Sequence, residues 1–197
     1  MKQTFLPILL GLCLIPTAAF AHPALGDANG FVHGFVHPLS GLDHQLAMVM
    51  VGLLAYQLGG RALWLVPFTF VGVMALGGVL GVMGISIPFV ETGIALSVIV
   101  LGAIVAFGVN ASLAGAMGAV GLFAIFHGHA HGTEMPLDVA GAAYGVGFLL
   151  ATAVLHALGI FIGFLIGMSS KPLGDNVYRV VGTVASLAGI AILLGYL

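Results

Sequence analysis

Charge is what this sequence of 197 residues has least of. It holds four Lys and Arg residues and six Asp and Glu, against a hydrophobic content of 61%. A soluble domain of this length needs a charged shell toward water, so that class is excluded. Long apolar runs between few charges describe an integral membrane protein. The shortage of Lys and Arg also excludes a nucleic-acid partner, because a phosphate backbone could not be neutralised. Cysteine is nearly absent, Cys13 being the only one. It falls in an N-terminal segment expected to be removed, so the mature chain is expected to have no disulfide and no thiolate ligand. Any metal must then be held by nitrogen and oxygen. There is no G-x-x-x-x-G-K-[ST] loop, which argues against ATP-driven pumping by this chain. There is also no H-E-x-x-H, which argues against that type of zinc hydrolase.

What is there begins with an export signal. Met1-Lys2, an apolar stretch from Phe5 to Ile15, Pro16 and the small residues Ala19-Phe20-Ala21 read as a signal peptide over 1–21. Cleavage before His22 would leave 22–197 as one polytopic membrane domain. Its apolar runs divide at turn signals into about six spans. They are expected near 38–58, 62–83, 87–108, 111–131, 138–168 and 177–197, giving an all-α bundle. The fifth exceeds the length a bilayer needs and is expected to tilt or protrude. With His22 outside, alternation puts Arg61, Lys171 and Arg179 on the cytoplasmic side, as the positive-inside rule requires. The 31 glycines lie within apolar segments and suit close helix packing. Met48, Met50, Met74, Met83 and Met117 are scattered and read as core or lipid-facing filler.

The polar chemistry is concentrated in two stretches, His37-Pro38-Leu39-Ser40-Gly41-Leu42-Asp43-His44 and Phe126-His127-Gly128-His129-Ala130-His131-Gly132-Thr133-Glu134. Six of the eight histidines lie in them or just before. Ionisable side chains are costly in lipid, so a group of this kind carries a functional expectation. Both stretches fall at the outer ends of their spans, the first and the fourth. His37 and His44, seven apart, would stack on one helical face, with His33 a turn earlier. His127, His131 and Glu134 follow i, i+4, i+7, while His129 falls on the other side. Asp43 could bind metal or orient the neighbouring imidazole. Expected metal ligands are therefore His37, Asp43, His44, His127, His131 and Glu134, with His22, His33, His129 and His156 as weaker candidates. His156 lies deep in the fifth span and would be the next step inward. His22 would add an α-amine chelate after cleavage.

Blander readings compete at each position. A single histidine in a membrane helix can simply bond a neighbouring helix. Glu91 and Asp138 can serve as acids at helix N-termini. As for function, imidazole and carboxylate suit nickel, zinc, copper and iron alike. Three histidines and a carboxylate could also make an intramembrane zinc-dependent hydrolase, and facing histidines a haem-binding membrane subunit. Against the first, no serine or second acid stands ready as nucleophile or base. Against the second, the histidines crowd one surface.

The patterns H-P-x-x-G-x-D-H (His37, Pro38, Gly41, Asp43, His44) and F-H-G-x-x-H-G-x-E (Phe126, His127, Gly128, His131, Gly132, Glu134) resemble those of the HupE/UreJ family of nickel permeases. The signal peptide and about six spans match as well. The resemblance implies a transporter rather than an enzyme. It would be a bacterial inner-membrane protein taking Ni(II), or Co(II), from periplasm to cytoplasm for hydrogenase or urease maturation. No cofactor is expected to be held permanently. The partners so implied are the ion and the bilayer, with a second copy of the chain or a cytoplasmic metallochaperone as candidates. Facilitated diffusion and proton coupling are both compatible with these residues.

Overall fold

The computed structural model describes residues 30–135 and 139–197. The expected signal peptide, Cys13, His22 and Asp138 lie outside the described residues. The elements are α1 (Gly30–Val36), a 3-10 turn (His37–Leu39), α2 (Leu42–Leu58), α3 (Ala62–Val82), α4 (Val90–Phe107), α5 (Leu113–Thr133), α6 (Val139–Gly167) and α7 (Lys171–Leu193). No strand occurs among the described residues. Helices α3 to α7 are each long and apolar enough to cross a bilayer, and α1 with α2 make a sixth such unit broken by a 78° bend.

That bend departs from the continuous helix expected over 38–58, and its cause is local. Pro38 occupies the first turn of the 3-10 segment, where its missing N–H is harmless. Ser40 then closes the turn twice, donating to the His37 carbonyl from its hydroxyl (2.6 Å) and from its backbone N–H (3.0 Å). Gly41 is extended, and the Gln45 amide donates back to the Leu39 carbonyl at 2.6 Å, pinning the corner. His37 and His44 therefore belong to two differently directed segments instead of sharing one helical face.

Helix α2 is central, buried along most of its length from His44 to Ala55. It runs parallel to α6, with Gly52 against Gly159 and Tyr56 over Gly163 and Gly167. Glycine is needed where α5 meets α3. A Cβ at Gly128 would run into the Met74 carbonyl, and one at Gly132 into the Gly78 carbonyl. This contact sets the rotation of α5 and hence where its histidines point. Gly128→Val is accordingly expected to force α3 and α5 apart at a cost of about 1–3 kcal/mol. It should show as a lower thermal midpoint and less protein in the membrane fraction.

Helices α4 and α7 pair antiparallel through Gly102, Gly182 and Gly189. Elsewhere α7 presents Val180, Val184 and Leu187 outward, an apolar surface suited to acyl chains. Met48, Met50 and Met74 are core, whereas Met83 is exposed. The six long helices alternate in direction. His37, His131 and Glu134 lie at one end of the bundle, and Arg61, Lys171 and Arg179 come at the other.

Candidate metal site

The last turns of α5 carry His127 and His131 inward, and Glu134 follows directly past the helix end. The 3-10 turn brings His37 to the same mouth. Glu134 Oε2 lies 3.5 Å from His37 Nε2 and 3.6 Å from His131 Nδ1. The ligand atoms of these three residues fall within 4.8 Å of one another, a grouping that could hold a metal ion. The Glu134 side chain is 60% exposed and that of His131 17%, so the group opens outward and narrows inward.

From there the imidazoles continue as a string. His131 turns its second nitrogen, Nε2, to His44 Nδ1 at 3.3 Å. His44 Nδ1 in turn lies 3.2 Å from His127 Nδ1. Two nitrogens bound to one ion at the zinc distance of about 2.0–2.1 Å are themselves about 2.8–3.4 Å apart for angles between octahedral and tetrahedral. Each step of the string therefore matches a pair of imidazoles on one divalent ion. His44 and His127 are fully buried, and their outer nitrogens meet hydroxyls: His44 Nε2 is 3.5 Å from Thr152 Oγ1, and His127 Nε2 is 2.9 Å from Ser97 Oγ. Phe148 walls the string, with ring centroids 4.5 Å from His131 and 5.1 Å from His44. A dry aromatic wall lowers the local dielectric and strengthens charge–ligand interactions within it.

The two stretches singled out by their histidines thus come together from segments almost ninety residues apart in sequence. The HupE / UreJ protein family model matches residues 10–192. The chain belongs to the HupE/UreJ family. It is similar to Protein HupE of Rhizobium leguminosarum bv. viciae, 48% identical over 195 residues that cover 99% of this chain and all of that one. No solved structure matches it.

Other expected ligands of this HupE/UreJ chain lie apart from the string. The Asp43 carboxylate accepts the backbone N–H of His44 at 2.7 Å and pairs with no imidazole among the described residues. It lines a separate cleft of about 420 Å³ with Glu91, Thr92 and Leu193, and no histidine among the described residues lines that cleft. Glu91 occupies the first turn of α4. His129 points away from the string, as its spacing predicts, and Nε2–H donates to the Ile85 carbonyl at 2.7 Å, tying α5 to the α3–α4 connection. His33 is exposed on α1, its ring 6.1 Å from that of Tyr144. His156 is 1% exposed, and neither of its ring nitrogens has a hydrogen-bond partner among the described residues. Phe70 separates it from the string, its ring 5.7 Å from His127 and 5.3 Å, edge-on, from His156.

Sequence reasoning passed over Ser97, Thr152, Phe148, Phe70 and Tyr144. Four positions on α6 did carry a signal. Tyr144, Phe148, Thr152 and His156 recur every four residues, and all four are buried. Such an aromatic and polar stripe on an apolar helix marks a face turned to something other than lipid.

Proposed function

We propose that this chain is a permease that carries nickel, or cobalt, from the periplasm to the cytoplasm to supply hydrogenase or urease maturation. The observation that carries the reading is the continuous succession from the Glu134–His37–His131 mouth through His44 to His127. A permeating ion must bind and then leave, so sites that share ligands in sequence serve better than one closed cage. His131 faces the mouth with one nitrogen and the interior with the other, which suits handing on an ion. His156, in the core with neither nitrogen bonded among the described residues, is the next station inward on this reading. Asp43 and Glu91, which line one cleft together, would supply negative potential at the same end of the bundle as the entrance.

The cations Arg61, Lys171 and Arg179 support placing the opposite end in the cytoplasm and the histidine mouth in the periplasm. Nitrogens 3.2–3.3 Å apart leave no gap between them for a porphyrin plane, which weighs against the haem reading. Membership of the HupE/UreJ family supports nickel over other imidazole-binding ions, and the relative named Protein HupE supports a hydrogenase or urease context. The expected result is saturable uptake of radiolabelled nickel by cells expressing the chain, reduced by excess cobalt more than by zinc. Uptake that survives a proton uncoupler identifies facilitated diffusion; collapse with the uncoupler but not with valinomycin and potassium, which remove the membrane potential alone, identifies proton coupling. No accumulation above control cells would refute the transport reading.

A further inference from the structure

The hydrogen bonds around Ser97 fix the proton on His127. Ser97 Oγ lies 2.6 Å from the Ile94 carbonyl and 2.9 Å from His127 Nε2. Two oxygens at 2.6 Å need a proton between them, and the carbonyl has none to give. The serine has a single O–H, so that proton goes to Ile94. Toward His127 the hydroxyl can then only accept, and Nε2 must carry the hydrogen. A neutral imidazole has one N–H, which leaves Nδ1 bare. The opposite tautomer would set two lone pairs against each other at 2.9 Å, at a serine that is fully buried.

We propose that Ser97 is a positioning residue that holds His127 with Nε2 protonated, so that the Nδ1 lone pair is kept facing His44 and the passing ion. The inference rests on the reading of His127 as a ligand of that ion. Histidines that bind metals through one nitrogen are commonly oriented by a hydrogen bond from the other, and here the orienting group is itself anchored to a helix carbonyl. Thr152 differs from Ser97. Its hydroxyl meets His44 Nε2 at the longer distance of 3.5 Å and has no carbonyl partner among the described residues. It can rotate to donate or accept. The bare His127 Nδ1, 3.2 Å away, keeps the hydrogen on His44 Nδ1 until an ion comes between them; His44 can then change tautomer while His127 cannot. The fixed histidine is the inner one, where an ion moving from His131 through His44 would next need a ready lone pair.

The full chain, labelled with ¹⁵N-histidine and held in lipid nanodiscs, gives the test. The His127 signals are assigned by their loss in His127→Ala. In the wild-type protein, His127 should show a protonated Nε2 and a bare Nδ1. In Ser97→Ala the two nitrogens should move toward averaged shifts, and nickel affinity by calorimetry should fall about 10–100-fold. Ser97→Thr, which keeps a hydroxyl able to bond a carbonyl one turn back, should restore both. A wild-type His127 protonated at Nδ1, or a Ser97→Ala protein with unchanged tautomer and unchanged affinity, overturns the proposal. Normal nickel binding by His127→Ala instead overturns the ligand reading beneath it, whatever the tautomer.

Discussion

His131→Ala is expected to reduce nickel accumulation by about 100-fold or more while leaving the protein at its normal level in the membrane. His131 is the one side chain shared by the outer group and the inner string, with Glu134 and His37 on one side and His44 on the other. Loss of a residue that merely orients a ligand typically costs 10–100-fold in metal affinity, so loss of the shared ligand belongs at or beyond the top of that range. Folding should suffer little by comparison. The ring lies near the mouth, and an imidazole–imidazole hydrogen bond contributes only about 1 kcal/mol. His129→Gln is the matched control, two residues away on the same helix. Its amide can still donate to the Ile85 carbonyl, and uptake should stay near wild-type. Whole-cell uptake of labelled nickel, normalised to immunoblotted protein, reads both. Equal loss in the two variants would mean that α5 responds to substitution as such, and the site would be misplaced.

That contrast between His129 and His131 could be read from sequence, because a single helix fixes which residues share a face. The helical membrane class followed from long apolar runs, and the inward face of α5 from the same regularity as that contrast. What lay beyond reach depended on how elements meet. The 78° bend comes from the corner between Leu39 and Leu42, where Ser40 and Gln45 close hydrogen bonds that no periodicity encodes. It separates His37 from His44 as helix neighbours, yet both still reach His131. Asp43 was expected among the ligands from its place beside His44. Adjacent helical residues point about 100° apart, and the one that faces α5 is decided by the packing of α2. Ser97 illustrates the limit most clearly. A lone serine in an apolar helix has no readable role until the ring thirty residues away is placed beside it.

Replacing His156 with leucine is expected to raise stability and lower transport together. Its ring is buried in the core with both nitrogens lacking a partner among the described residues. A buried polar group left without a hydrogen bond costs about 1–3 kcal/mol, and an apolar side chain of similar size recovers much of that. A bland, structural histidine would use at least one nitrogen to bond a neighbouring segment, as His129 does with Ile85 in the α3–α4 connection. The arrangement around His156 is therefore poor for packing and good for a transient ligand. If the ion passes Phe70 to reach it, His156→Leu should lower the maximal rate of nickel uptake by about tenfold or more. The half-saturating concentration should change little, because the mouth is intact. Thermal unfolding in detergent should shift upward in the same protein. Opposite signs for stability and transport would show a residue retained for passage at the expense of the fold, the trade expected where function requires a destabilising group. A stable His156→Leu protein with wild-type uptake would remove His156 from the route and leave His127 as its innermost ligand.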